Sequence, residues 1–318
     1  MIDDSHHELL AQIASMYYEQ ELTQHVIASE LGLSRVKIYR LLKEAKEKEV
    51  VQIKVNWPTA RDTALEAALQ QRFDLKEALV LKTTTRHTTP ILQRLGQLGA
   101  RYLESILTDG STMAVCLGHS SYETINAISS NFQAKIRVAQ AVGSMPFSMQ
   151  KADSATLARQ LAQKLGGEVL YLTSPLVADS IEASQVLRSQ RDIQHTLLTA
   201  KAADVALTGI GNLDPAISGF HQAGFISADE LRALTAAGAV GDMAGQIYTI
   251  TGELFPCEYS QRVIGITLEE LKQIPTTIAV AMGREKARAI LGGLRTGAID
   301  VLCIDDQAAV EVLRLKEA

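Results

Sequence analysis

Several short apolar runs of this sequence end in glycine and polar residues that could bind an anion. The run TMAVCL is followed by Gly118, His119, Ser120 and Ser121, and the segment 122–129 is predicted to be a helix. Glycine permits the close approach of a ligand, while serine hydroxyls and the N–H groups that open a helix can hold a phosphate. The serines could equally be caps of that helix, and His119 could be an ordinary loop histidine.

Other apolar runs end in a similar way. Asp242 closes the stretch GAVGD and could accept the hydroxyls of a sugar, whereas Lys286 begins a helix, where a cation is favoured only beside an anionic partner or ligand. An exposed Lys286 side chain is the equal alternative. Small residues that would form the walls of such a site complete the set: Gly143, Ser144, Gly209 and Gly211. The stretch GIGN lacks the third glycine and the helix of a dinucleotide-binding fingerprint.

The apolar runs that carry these residues are typical of parallel strands buried on both faces. They are TMAVCLG, IRVAQAVG, EVLYLTS, DVALTGIG, TTIAVAMG and IDVLCID, and segments with helical spacing that end in glycine separate them. A helix over 62–73, a strand over 78–81 and a helix over 91–107 precede them, and AGQIYTI is a further β segment. This alternation predicts an open, Rossmann-like α/β sheet, which binds ligands beyond the carboxyl ends of its strands.

The segment LTQHVIASELGLSRVKIYRLLKEA, residues 22–45, predicts two short helices joined by a tight turn. Thr23 is expected to cap a helix that runs to about Leu31, and Gly32 to end it in the left-handed conformation. Ser34 is expected to cap a second helix that runs to about Lys48, and a preceding helix over about 7–20 supplies a third wall. The arrangement is that of a helix-turn-helix. The apolar positions that would close the angle between the helices are Val26, Ile27, Leu31, Leu33, Ile38, Leu41 and Leu42.

The second of these helices has a polar face suited to the major groove of DNA. At about 100° per residue, Val36, Arg40 and Lys43 point away from the apolar side. An arginine can bond a guanine edge through two N–H groups, and a valine can contact a thymine methyl group. The alternative is a solvated basic face on a small helical bundle. The other residues expected to hold phosphates or flank the contact are Thr23, Gln24, Ser34, Arg35, Lys37 and Tyr39.

The charge balance of the chain limits its partners. Its 318 residues carry 31 Lys and Arg against 36 Asp and Glu, a formal net charge of −5. This balance argues against a nonspecific polyanion binder but allows a local basic surface. No apolar run is long enough to span a membrane and the opening MIDDSHHELL lacks an apolar signal region, so we expect a cytoplasmic protein. Cys116, Cys257 and Cys303 have no metal-binding spacing, and we expect reduced thiols, no metal and no cofactor.

The chain resembles the SorC family of bacterial, sugar-responsive transcriptional regulators along nearly its whole length. The segment ASMYYEQELTQHVIASELGLSRVKIYRLLKEAKEKEVVQI resembles the family's helix-turn-helix and the strand after it. The stretches LTGIGNL, AGAVGDMAGQIY and AMGREKARAILGGLRTGAIDVLCIDDQAA resemble parts of its effector domain. The resemblance implies an effector domain that is similar to sugar-phosphate isomerases but works as a sensor. It also implies a phosphorylated sugar or polyol as effector, and oligomers that are often tetramers.

The resemblance also implies roles for individual residues. Members often have Gly-Thr-Thr after the first cradle strand, where this chain has Gly-His-Ser-Ser, and many have two glycines where it has Gly-Ser at 143–144. The serines keep the hydroxyl groups, while the histidine changes the fit of the ligand. Carried over by motif, the residues that would hold the phosphate are Gly118, Ser120 and Ser121, and those that would contact the rest of the ligand are Asp242 and Lys286.

These patterns together predict two domains and one function. Residues 1–56 are expected to form a helix-turn-helix domain of winged-helix type, with a strand over 50–55, and residues 57–318 an α/β effector and oligomerisation domain. We expect a DNA-binding transcriptional regulator whose binding to operator DNA is controlled by its effector. Paired half-sites in the operator would imply a homodimer or homotetramer. The alternative is an isomerase-like enzyme with an appended DNA-binding module. There, Asp242, Lys286 and His119 would act as acid and base, but no carboxylate pair or nucleophile constellation supports that alternative.

Overall fold

The chain divides into two compact units within the WPT stretch. A computed structural model describes residues 4–48, 50–51, 55–83, 88–145 and 151–315. The units are Met1–Trp57 and Pro58–Ala318, and the expected boundary after residue 56 lies one residue before this division. Each unit has its own hydrophobic core.

Helix caps define the first unit. It contains α1 (Asp4–Tyr18), α2 (Gln24–Glu30) and α3 (Arg35–Glu47). The Thr23 hydroxyl accepts a hydrogen bond from the Val26 N–H at 3.4 Å, and the Ser34 hydroxyl accepts one from the Lys37 N–H at 3.2 Å. Gly32 has a φ of +64°, which a residue with a side chain rarely adopts. The predicted helix, turn and second helix are therefore confirmed.

The apolar faces of these helices form a small closed core. One prediction is wrong: Val26 is 38% exposed, because Ile27 and Ala28 take the inner side of α2. In the segment 50–55, where a strand was predicted, Val50, Val51 and Val55 lie outside regular structure and 52–54 lie outside the described residues. The buried core residues are Leu10, Ile13, Ala14, Met16, Ile27, Ala28, Ile38, Leu41, Leu42 and Ala45.

The second unit is built on a parallel sheet of seven strands in the order β1-β10-β9-β5-β2-β3-β4. Every strand pair in it is parallel, as the apolar runs predicted. The strands of the unit are β1 (Glu77–Leu81), β2 (Thr112–Val115), β3 (Arg137–Gln140), β4 (Glu168–Leu170), β5 (Val205–Gly209), β6 (Gly211–Asn212), β7 (Ala239–Met243), β8 (Gln246–Thr249), β9 (Thr276–Val280) and β10 (Val301–Asp305).

Helices cover both faces of this sheet. Successive strand residues point to opposite sides, so that Ala78 and Val80 of β1 join one core and Leu79 and Leu81 join the other. Within the described ranges, no helix is both long and apolar enough to cross a bilayer. The helices are α4 (Thr63–Phe73), α5 (Thr88–Ile106), α6 (His119–Ala127), α7 (Ser154–Leu165), α8 (Ile181–Ser189), α9 (Arg191–Lys201), α10 (Gly219–Gln222), α11 (Ala228–Ala236), α12 (Glu258–Arg262), α13 (Leu268–Leu271), α14 (Ala287–Arg295) and α15 (Asp306–Arg314).

A second, antiparallel sheet of β6, β7 and β8 was not predicted as such. Asp242 was expected just before a β segment, but it lies within β7 and is paired with Gly211 of β6. The sheet packs closely on α14, since a Cβ atom at Gly241 would lie 2.6 Å from the Ala289 Cβ. This small sheet brings the ends of β5 and β7 together.

Candidate functional site

The outer face of α3 carries exposed residues of the kind that contact DNA. Ile38, Leu41, Leu42 and Ala45 are buried, and the residues between them face water. Val36 is 61% exposed and Tyr39 58%. The cations and the caps that surround them are also exposed: Thr23, Ser34, Arg35, Lys37, Arg40 and Lys43, with Gln24 half-buried. All of the predicted set is therefore exposed except Gln24, which is half-buried.

The charges of this surface are largely free to meet a partner. Lys43 approaches Glu47 at 3.6 Å, but both side chains are well exposed, so the pair contributes little. Arg35, Lys37 and Arg40 make no ion pair with any residue that the structure describes. An exposed valine beside unpaired cations on one helix is a combination that can contact base edges in the major groove.

In the second unit, a cavity of about 220 Å³ opens at the carboxyl ends of β2 and β5. It includes most of the residues that the sequence placed at strand ends: Gly118, His119, Ser120, Gly209, Gly211, Asp242 and Lys286. These residues lie far apart in the chain, and the parallel sheet brings them together. The place agrees with the rule that open α/β sheets bind ligands beyond the carboxyl edge.

The first wall of the cavity is the start of α6. The helix begins at His119, three residues before its predicted start, so the serines lie in its first turn. Its N-cap residue is Gly118, with a φ of +131°, and neither serine hydroxyl caps the helix. The N–H groups of this turn and the Ser120 hydroxyl are thus available to an anion at the positive end of a nine-residue helix.

The opposite wall combines Asp242 with Lys286. A Cβ atom at Gly211 would lie 1.7 Å from Asp242 Oδ1, so glycine leaves the space that the carboxylate occupies. Desolvation raises the pKa of Asp242 to about 7, an effect that the nearby Lys286 ammonium only partly offsets. No described residue donates a hydrogen bond to this carboxylate. Asp242 is therefore a free acceptor for a ligand hydroxyl.

Lys286 reaches the same cavity from the 3₁₀ turn Arg284–Lys286. Its Nζ donates a hydrogen bond to the Ile210 carbonyl at 2.7 Å. Burial lowers the pKa of Lys286, while Asp242 and Glu285 act in the opposite direction. Desolvation also lowers the pKa of His119, and the Lys286 charge adds to that effect. The alternative of a solvent-exposed lysine is therefore wrong, because the side chain is half-buried and bonded inside the cavity.

Three of the predicted residues do not line the cavity. Ser121 is fully buried on the inner face of α6, and its hydroxyl has no hydrogen-bond partner among the described residues. Gly143 packs against the chain, since a Cβ there would lie 2.2 Å from the Pro175 carbonyl oxygen. Ser144 accepts a hydrogen bond from Gln140 Nε2 at 3.2 Å.

Sequence reasoning missed part of the lining. Asn212 follows the GIG stretch, and its amide donates to the Glu285 carbonyl at 3.1 Å, which ties β6 to the lysine-bearing turn. The segment after it carries no apolar run or glycine-ended strand, so no pattern marked it. The lining residues that were missed are Leu117, Met145, Ile210, Asn212, Ile217, Gly219, Phe220 and Gln222.

Comparisons with known proteins agree with this geometry. The Sugar-bind family model, a sugar-binding domain, matches residues 58–314. The chain is 33% identical over 314 residues to the transcriptional regulator LsrR of Enterobacter sp. (strain 638), covering 97% of this chain and 93% of that protein. It is 30% identical over 313 residues to the deoxyribonucleoside regulator of Bacillus subtilis (strain 168), covering 97% and 98%.

A solved structure supports the same assignment for the whole chain. The full-length sorbitol operon regulator SorC from Klebsiella pneumoniae superposes with a TM-score of 0.72 at 28% identity, covering 98% of this chain and 100% of that one. The resemblance found in the sequence is therefore confirmed in both units. The chain belongs to the SorC family of transcriptional regulators, and its second unit is the family's sugar-binding domain.

Proposed function

We propose that α3 of this regulator binds operator DNA and that a phosphorylated sugar or polyol, held in the cavity, controls that binding. The observation that carries the proposal is the convergence of the first turn of α6, the Lys286 amine and the Asp242 carboxylate around one cavity. A phosphate is favoured beside a helix N-terminus and a lysine, whereas hydroxyl groups are favoured beside an unpartnered carboxylate. A ligand with both groups matches both walls.

The proposal assigns each wall to one end of the ligand. Gly118, His119 and Ser120 would surround the phosphate, with Lys286 between the two ends. Asp242 would accept the hydroxyls, and Gly209 and Gly211 would let the ligand approach the backbone. Ser121, Gly143 and Ser144 would act indirectly, by supporting the wall. No cofactor is needed for this binding.

The proposal for α3 rests on its exposed face. Arg40 and Val36 would contact base edges, and the surrounding cations and hydroxyls would contact phosphates. One helix-turn-helix offers few base contacts, so we propose a homo-oligomer that binds paired half-sites. The effector would then act by favouring one arrangement of the oligomer over another. We place this regulator in the cytoplasm, where its DNA would be.

The test begins with the ligand. Relatives of this chain are named for sorbitol and for deoxyribonucleosides. A thermal-shift panel therefore starts with sorbitol 6-phosphate and deoxyribose 5-phosphate, each beside its unphosphorylated form. We expect at least one phosphorylated compound to raise the melting temperature while its unphosphorylated form does not. A panel in which phosphorylated compounds stabilise no more than their parents would contradict the phosphate assignment.

The second step tests control of DNA binding. An operator is selected from random-sequence DNA with the purified protein, and its affinity is measured at one fixed salt concentration with and without the stabilising compound. The compound should change the affinity. The enzyme alternative rests on the pKa of Asp242 near 7, which suits proton transfer. Incubation of the same compound with the protein tests that alternative. Conversion of the compound to an isomer would favour catalysis, whereas recovery of the unchanged compound would favour regulation.

A further inference from the structure

The turn that carries Lys286 is hydrogen-bonded to the end of strand β10. The Gly283 N–H, which opens the turn, donates to Asp305 Oδ2 at 2.7 Å. The other oxygen of Asp305 accepts from the N–H groups of Gln307 and Ala308, both at 3.1 Å, and so caps α15. Asp305 is only 2% exposed. A single buried carboxylate thus joins the cavity turn to the start of α15.

The next residue joins α15 to strand β1. The Asp306 carboxylate accepts from the Thr83 N–H at 2.9 Å and from the Thr83 hydroxyl at 2.5 Å. Thr83 follows β1 closely, and Leu81 of β1 lies opposite Asp305 in the parallel ladder. Asp305 and Asp306 therefore fix two neighbouring strand ends to each other.

Strand β1 in turn holds the segment that enters the second unit. The Lys82 N–H donates to the Ala60 carbonyl at 2.8 Å, and the Asp62 N–H donates to the Val80 carbonyl at 2.8 Å. Arg61 and Leu81 form an antiparallel bridge. Residues 60–62 thus extend the sheet at its outer edge.

Two arginine side chains add hydrogen bonds and ion pairs between β1 and the segment that precedes it. Arg94, which is 4% exposed, donates to the Pro58 carbonyl at 2.9 Å and to the Lys82 carbonyl at 2.8 Å. Arg61 bonds Glu66 at 2.6 Å and Glu77 at 2.7 Å. The segment 58–62, which we call the entry segment, is therefore bonded to the same strand end that Asp306 holds.

We infer that Asp305 and Asp306 couple the effector cavity to the entry segment, as positioning residues rather than ligand contacts. The inference rests on the proposed function. An anion that draws the Lys286 amine from the Ile210 carbonyl moves the turn 284–286, and Asp305 passes that movement to the β10 end. Asp306 and Thr83 then pass it to the entry segment, which continues directly into Trp57. Such a chain of contacts shows coupling only if breaking one contact stops the entry segment from responding to ligand binding in the cavity.

The test uses inorganic phosphate as the probe and the single tryptophan of the chain, Trp57, as the reporter. Phosphate is titrated against potassium chloride at equal ionic strength, with the melting temperature reporting binding and Trp57 fluorescence reporting the entry segment. In the wild type we expect both signals to change with one midpoint. In Asp306→Ala, the thermal signal keeps its midpoint, while the fluorescence change falls at least about threefold.

Asp305→Asn separates the two links. With its single oxygen at the α15 cap, the amide presents an NH2 group to the Gly283 N–H, and that group cannot accept a hydrogen bond. We therefore expect a higher phosphate midpoint in both signals. Asp229→Ala, which removes an exposed acid from the first turn of α11, is the matched control and should leave both signals as in the wild type. An unchanged fluorescence response in Asp306→Ala, or a wild type in which phosphate binds without changing Trp57 fluorescence, overturns the inference.

Failure of the wild type to bind phosphate would count against the proposed function. The coupling is then tested without a ligand. Lys286→Met removes the bond to Ile210 from inside the cavity. We expect faster hydrogen exchange at the Lys82 and Asp62 amides in that variant. The acceleration should be lost when Lys286→Met is combined with Asp306→Ala, compared with Asp306→Ala alone. Equal acceleration in both backgrounds, or none in either, would also reject the coupling.

Discussion

The outer face of α3 and the cavity of the second unit are both polar sites, yet they are built in opposite ways. The helix face comes from one stretch of thirteen consecutive residues, of which Ile38, Leu41, Leu42 and Ala45 are buried and most of the others project into water. The cavity collects residues from position 117 to position 286 and withdraws their charges from water. The first site depends on local helix geometry, and the second depends on the topology of the whole sheet.

The two sites therefore differ in what a substitution disturbs. Arg40 and Val36 lie on the surface, so their removal should change contacts with DNA and leave the unit folded. Asp242 is held in a space that only glycine at 211 leaves open, and its pKa of about 7 reports a cost to the folded protein. Substitutions in the cavity should change both ligand binding and stability.

The largest expected effect is the pH dependence that Asp242 imposes on stability. Its pKa is raised from 3.8 to about 7 on folding, so its unfavourable ionisation in the folded state develops as the pH rises from about 4 to about 7. We expect the free energy of unfolding of the wild type to fall, relative to Asp242→Asn, by up to about 4 kcal/mol across that window. Urea unfolding at several pH values measures the difference.

The comparison with Asp242→Asn removes the titrations that do not depend on the Asp242 charge. The lowered pKa of His119 decreases stability as the pH falls through about 6.5, in the opposite direction, but it does so in both proteins. Above pH 7 the difference between the two proteins should stay constant. A difference that does not depend on pH would show that Asp242 is as well solvated as the cations of α3, and the contrast between the sites would disappear.

The second effect is on ligand affinity. Lys286→Met keeps much of the side-chain volume but removes the cation, and we expect the affinity for the stabilising phosphorylated compound to fall by about 2–3 kcal/mol, since a charge-assisted hydrogen bond is lost. Calorimetric titration measures the change. Lys135→Met, at an exposed lysine outside the cavity lining, should bind like the wild type. Equal affinities in all three proteins would remove Lys286 from the site.

The same contrast explains how much could be predicted from sequence. For α2 and α3, the caps Thr23 and Ser34 and the spacing of Ile38, Leu41 and Leu42 identify both the helices and their exposed side. These signals are local, and the structure confirms them. Burial of the neighbouring valine could not be judged in this way, because Val26 lies between the two faces of a short helix.

For the cavity, the strand runs located its edge but not all of its lining. The sequence placed the start of α6 at residue 122, and the true start at 119 turns Ser121 toward the core beside Thr124 and Ile125. β6 has only two residues, and Gly241 and Asp242 interrupt the apolar residues of β7, so the small sheet that positions Asp242 was missed. Contacts such as Phe220 come from a segment whose position depends on tertiary packing alone.

A smaller effect is expected at the DNA surface. Arg40→Ala should weaken operator binding by about 1–3 kcal/mol and relax the base preference at one position, because a two-pronged contact to guanine is lost. Binding to a set of operators with single base changes measures both quantities. Arg232→Ala, at an exposed arginine of the second unit, is the control. Loss of affinity without any change in base preference would reassign Arg40 to the phosphates.

The smallest effect tests whether α3 reads an apolar feature of DNA. Val36→Ala should weaken operator binding by about 0.5–1 kcal/mol, because a buried contact between a few methyl groups is lost. Replacing single operator thymines by deoxyuridine removes the methyl group from the DNA side, and the wild type should lose a similar amount at one position. Val36→Ala should be indifferent to that replacement, since the contact is already absent. If the two losses simply add, Val36 does not touch a thymine methyl group, and the exposed valine has no part in base recognition.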